Sequence, residues 1–142
     1  MRHIMVATDG SEGADRAVDA AATLARAVDG RLTILTAGGN LSAEELRQLA
    51  RAEGDVGAAV EAISNNILAQ AKERAQRLGD LPCKLRLAWG DPADAILRAI
   101  RREHVDAIVI GRRGRGRLTG LLLGSVSQKI ASLAPCIVVV VP

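Results

Sequence analysis

The chain has no phenylalanine and no tyrosine, and Trp89 is its one tryptophan. Without aromatic faces there is no stacking platform for a flavin, a sugar ring or single-stranded nucleic acid, so a ligand must be held mainly by backbone and aliphatic contacts. Cysteine is almost as scarce. Cys83 and Cys136 form no Cys-x-x-Cys pair, and His3 and His104 have no partners at zinc spacing, which weighs against a metal centre of that kind. Buried free thiols and ordinary histidines are the expectation. Long apolar runs are missing too: the uncharged stretch 130–142 contains Ser132 and Pro135 and falls short of the roughly 20 residues that span a bilayer. The opening run His3-Ile4-Met5-Val6-Ala7 leads at once to Asp9, without the apolar region and cleavage site of a signal peptide, which points to a cytoplasmic protein without a membrane partner.

What is present is ordinary in amount and uneven in placement. With 142 residues, 49% hydrophobic and 25% charged, the chain has the make-up of one globular domain over 1–142, able to bury roughly 70% of its unfolded surface. The net charge of +3 divides into 6 basic and 10 acidic side chains in residues 1–70, against 13 and 6 in residues 71–142. Arg112, Arg113, Arg115 and Arg117 crowd into one glycine-punctuated stretch. Charge focused in that way suits a small anion, and it lacks the basic stripe with stacking groups that nucleic acid requires.

Five short aliphatic runs, at 4–8, 32–36, 84–88, 107–110 and 137–141, have strand length and strand composition. Between them lie segments of helical period. One begins after Ser11, a good N-cap, shows Ala14, Ala17, Val18, Ala21, Leu24, Ala25 and Val28 on one face, and ends at Gly30, placed to turn left-handed. Another opens at Asp91-Pro92 and runs to about His104. The longest connection, 38–80, holds a turn at Gly38-Gly39-Asn40, a short helical piece from Ser42, a break at Gly54-Asp55-Val56-Gly57 and a helix over about 58–78. Strict alternation of strand and helix predicts an α/β fold, a doubly wound parallel sheet with helices on both faces. Ligands of such sheets sit beyond the carboxyl ends of the strands, here Thr8-Asp9-Gly10-Ser11 and Gly111 onward.

The stretch from Gly111 to Ser127 carries the chemistry. Glycines let the backbone turn its N–H groups toward an anion, and a helix starting near Gly124 adds unpaired donors and the positive end of its dipole, with the Ser125 and Ser127 hydroxyls beside them. Two well-known phosphate motifs fail here. A Walker loop would align Gly111 and Gly116, but Arg117 and Leu118 stand where its lysine and hydroxyl belong. A dinucleotide fingerprint through Gly114 and Gly116 meets Thr119, after the fourth strand instead of the first.

The spacing Gly111-x2-Gly114-x9-Gly124-Ser125 resembles the ATP-binding signature G-2x-G-9x-G-[ST] of the universal stress protein family. The resemblance extends over the whole chain, through Val6-Ala7-Thr8-Asp9-Gly10-Ser11, Gly90-Asp91-Pro92, Leu122-Leu123-Gly124-Ser125-Val126-Ser127 and Ala134-Pro135-Cys136. It implies an adenine nucleotide, ATP, between the first and fourth strands. Ala7, Thr8 and Asp9 would border it, with Asp9 on a ribose hydroxyl or a magnesium ion and Ala37 beside the adenine. Gly111, Arg112 and Gly114 would lie near the ribose and first phosphates, and Gly124, Ser125, Val126 and Ser127 near the outer ones. Thr36-Ala37-Gly38-Gly39 departs from the family's usual histidine-valine pair at that place. The residues also allow plainer roles, with Asp9 as a helix cap, Ser127 bonded to backbone and Trp89 packed under the following loop.

Placing Asp9 beside Gly111 requires the first and fourth strands to be neighbours, and right-handed crossovers then give the order 3-2-1-4-5. Ile137–Val141 falls at an edge, without internal lysine or proline, which predicts a homodimer through that strand, as family members commonly form. Two functions compete. A nucleotide-dependent regulatory protein needs only the cradle; a slow ATPase or phosphotransfer enzyme needs a base beside the phosphates, and the loop offers arginines and serines with only Gln128 nearby. The first is the expectation.

Overall fold

The computed structural model describes residues 1–38, 47, 51, 56–113 and 123–142. Among these, five parallel strands form one sheet: β1 (His3–Ala7), β2 (Arg31–Ala37), β3 (Cys83–Ala88), β4 (Ala107–Gly111) and β5 (Ile137–Val141). The helices are α1 (Glu12–Ala27), α2 (Val56–Ala75), α3 (Pro92–Glu103) and α4 (Ser125–Leu133). The order β3-β2-β1-β4-β5 is the expected one. The expected helical piece from Ser42, the Gly54-Asp55 part of the break, Gly39-Asn40, Gly114, Arg115 and Arg117 lie outside the described residues.

Alternation along each strand divides the apolar residues between two cores. Ile4, Val6, Leu32, Ile34, Ala107 and Val109 pack with Ala17, Val18, Ala21 and Ala25 of α1 and with Leu68, Ala71 and Ala75 of α2. Met5, Leu35, Ile108 and Ile110 point to the other face, against Ile96, Leu97 and Ile100 of α3 and Ile130 of α4. Both faces are covered, which is why β1 and β4 are nearly all apolar. The alanine stripe of α1 lets its backbone lie close on the sheet; volume there comes from the branched strand residues.

His3 is a satisfied core histidine: its Nε2 lies 2.8 Å from the Thr33 hydroxyl. Its pKa is lowered, first by burial and then by the Arg31 guanidinium. Cys83 and Cys136 are free but only half-buried, and burial raises the pKa of both thiols.

Gly30 corrects the expectation for the end of α1. The left-handed residue is Asp29, at φ 51°, and the chain closes with Asp29 N–H donating to Arg26 O at 3.1 Å and Gly30 N–H to Ala25 O at 2.8 Å. Glycine stands at position 30 for space: a Cβ there would lie 2.3 Å from the carbonyl oxygen of Arg2.

α2 ends at Ala75, short of the expected 78. Arg26 caps it from α1, donating to the carbonyls of Ala75 and Gly79 at 2.6 Å each, and Gly79 turns the chain at φ 128°. Leu78, whose apolar character extended the pattern, is 83% exposed, while Leu81 is buried.

Candidate nucleotide crevice

The winding reverses between β1 and β4, which pair in register from Ile4↔Ala107 to Val6↔Val109. Their carboxyl ends lead into different connections, to α1 on one side and toward α4 on the other, and a crevice lies between them. A cavity of about 290 Å³ lies there. Its apolar wall is Leu35 and Ala37 from β2, Ile110 from β4, and Pro92 and Ile96 from α3; its polar rim is Thr8, Asp9, Ser11 and the start of α4.

Each rim group is positioned by local chemistry. Ser11 caps α1 by accepting the Ala14 N–H at 3.2 Å, and the Asp9 carboxylate accepts the Ser11 N–H at 2.9 Å, closing a tight turn through Gly10 at φ 80°. Thr8 accepts the Gly10 N–H at its hydroxyl (3.1 Å), and the Thr36 hydroxyl donates to the Thr8 carbonyl at 2.7 Å, tying the ends of β1 and β2 together. Opposite, Gly111 meets α1 closely: a Cβ on Gly111 would lie 3.1 Å from the Gly13 carbonyl oxygen, and one on Gly13 would lie 3.0 Å from that of Arg113. A side chain at either position would press on the facing backbone, so close packing favours glycine at both.

The two helix starts at the crevice differ electrically. α1 carries Glu12 and Asp15 in its first turn and is capped by Ser11. α4 has no acid in its first turn, and no side chain among the described residues caps it from Gly124. Its first N–H groups and the positive end of its dipole therefore make it the more electropositive of the two helix starts. Gly124 N–H donates to the Arg112 carbonyl at 2.9 Å, and Arg112 N–H to the Val141 carbonyl at 2.7 Å, so Arg112 braces the α4 start against β5 through its backbone. Ser127 donates its hydroxyl to the Gly111 carbonyl at 2.7 Å. In that arrangement its one proton is spent holding β4 to α4, whereas the Ser125 hydroxyl is exposed. Lys129 ties α4 to α3, 2.7 Å from Asp94; its hydrogen bond is the main cause that holds the Asp94 carboxyl below its usual range.

Of the residues read from sequence, Ala7, Thr8, Asp9, Ala37, Gly111, Gly124, Ser125, Val126 and Ser127 all line this cavity. Arg112 does not; its neighbour Arg113 does. Gly114 lies outside the described residues. Sequence reasoning missed Leu35, Pro92, Ile96 and Ile110, which look like core residues because three of them also belong to the core on the α3 face. A usable signal existed: each sits at a strand's carboxyl end or in the first turns of α3. Trp89 is half exposed and outside the cavity, its ring over Gly38, where a Cβ would come within 2.8 Å of it. Among the described residues no three His, Cys, Asp or Glu side chains form a metal-binding group.

The whole chain, residues 1–142, matches the universal stress protein family. It belongs to that family. It is 33% identical to universal stress protein YxiE of Bacillus subtilis over 154 residues, covering 97% of each chain. It is 35% identical to universal stress protein Rv1636 of Mycobacterium tuberculosis over 140 residues, covering 97% of this chain and 94% of the relative. A solved universal stress protein in complex with cAMP superposes with a TM-score of 0.74 at 30% identity, over 99% of this chain and 95% of the other. The doubly wound sheet is thus the fold of this universal stress protein's relatives, and no helix among its described residues is long and apolar enough to cross a membrane.

Proposed function

We propose that this universal stress protein, a single domain over 1–142 working in the cytoplasm, binds ATP in the β1/β4 crevice and acts as a nucleotide-dependent regulator with little turnover. The observation that carries the reading is Gly124. At φ −71° it needs no glycine for its backbone, and a Cβ there would meet protein atoms only at 3.6 Å and beyond, ordinary contact. The glycine leaves room beside the uncapped start of α4, where phosphates would meet the N–H groups of Ser125, Val126 and Ser127. The apolar wall from Leu35 to Ile110 suits a purine, and the relative bound to cAMP supports adenine. Asp9 would hold a ribose hydroxyl, or share with the phosphates a magnesium ion that keeps most of its waters. Gly114 would complete the cradle from the β4 side, next to Arg113, which lines the cavity.

The rim supports little turnover: beside the α4 start are glycine, serine, Arg113 and backbone, and among the described residues no histidine or glutamine lines the cavity to position water. Heating the purified protein and weighing what is released should yield an adenine nucleotide. Steady-state phosphate release should stay well below about 1 per second; a faster rate that Asp9→Ala abolishes would make the protein an ATPase instead. The working form is a homodimer through β5, a reading supported by the exposed apolar edge that this strand presents.

A further inference from the structure

At the opposite end of the sheet, where the strands begin, a second cavity of about 520 Å³ opens between β3 and the end of α3. Among the described residues its rim holds Arg31, Lys84, Arg86 and Arg102, and its one carboxylate is Glu103. Four cations against one anion select for a negatively charged occupant. Glu103 adds a second requirement. Arg86 Nε donates to Glu103 Oε1 at 2.6 Å, but Glu103 Oε2 is buried with no hydrogen-bond partner among the described residues. A buried acceptor without a donor is costly, so the fitting occupant brings a hydrogen as well as a charge.

The floor is His3. Arg31 Nη2 lies 3.2 Å from His3 Nδ1, and a guanidinium can only donate, so that nitrogen is bare and the ring neutral when the contact is made, with Nε2–H given to Thr33. The Glu103 carbonyl oxygen lies equally far, 3.2 Å, from the same Nδ1 and can only accept. One of the two contacts is a hydrogen bond at any time. An anion drawn to Arg31 loosens its hold on the ring and shifts the balance toward the Glu103 carbonyl. His3 therefore reports on the cavity.

We propose that this cavity binds inorganic phosphate, whose P–OH donates to Glu103 Oε2 while its charged oxygens accept from the Arg31, Lys84 and Arg102 heads. Inorganic phosphate keeps a P–OH at neutral pH. Sulfate keeps none, and a phosphomonoester loses its last one near roughly pH 6. A carboxylate that demands a hydrogen discriminates among the three where cations alone do not.

The test is a proton NMR titration at pH 7.5 that follows the His3 ring signal, one of only two histidine signals and assigned by His104→Asn. Inorganic phosphate should move it saturably, whereas sulfate and methyl phosphate at equal ionic strength should not. Arg31→Ala should weaken the phosphate response at least about fivefold, the loss of one charge-assisted contact, and Glu103→Gln, whose amide can donate, should let sulfate in. No saturable shift with phosphate, or equal responses to phosphate and sulfate in the unaltered protein, would overturn the proposal. Because the signal comes from the far end of the sheet, either result leaves the crevice reading standing.

Discussion

Single residues decide how this chain turns. Asp29 and His104 both hold left-handed backbone, at φ 51° and 52°, at the ends of α1 and α3. That conformation costs a residue with a Cβ about 1–2 kcal/mol, partly offset by glycine's greater freedom when unfolded. His104→Gly should therefore stabilise the protein by about 0.5–1 kcal/mol. Gly30→Ala should do the reverse and cost about 1–3 kcal/mol, since its methyl drives into the Arg2 carbonyl. Urea unfolding of the two variants checks both signs. Glycine after an apolar helix reads as the left-handed residue because that is its commonest use, and the sequence cannot show that the Arg2 carbonyl oxygen, just before β1, lies 2.3 Å from where its Cβ would be. Gly111 is a similar case: its pattern is legible, but half of its reason is contact with Gly13, a long-range fact.

Among the elements, β5 stands apart. Ile137 N–H donates to Asp106 O, and Arg112 N–H to Val141 O, so residues 137, 139 and 141 turn their backbone groups toward β4. In a parallel strand the alternate residues face the other way. Val138 and Val140 therefore offer their N–H and C=O groups at the open edge, and Ile137 is 55% exposed. If two chains pair there, Val140→Pro removes an outward donor and leaves the inward ladder intact, whereas Val139→Pro would break the bond to β4 instead. Light scattering should give twice 14.9 kDa for the natural chain and 14.9 kDa for Val140→Pro; a natural chain at the lower mass would contradict the dimer. All five strands were legible to within a residue or so because their composition changes sharply at each end. The end of α2 was not, because Leu78 continues the apolar period while Arg26, 49 residues from Ala75, stops the helix.

The molecule as a whole concentrates its polar chemistry at the two ends of an otherwise apolar sheet. Topology explains why the crevice could be foreseen: once β1 and β4 are neighbours, Asp9, Gly111 and the α4 start must converge. Its apolar wall could not be read that way, since Leu35, Ile96 and Ile110 serve core and cavity at once. The central claim is that Gly124 is glycine for a ligand and not for the fold. Calorimetric titration of ATP, with magnesium, into nucleotide-stripped protein and its Gly124→Val variant measures this directly. The natural chain should give saturable heat and the variant should bind at least about tenfold more weakly, a difference of about 1.4 kcal/mol, with an unfolding free energy within about 1 kcal/mol of the natural chain. No heat from the stripped natural chain, or equal binding by both, would contradict it.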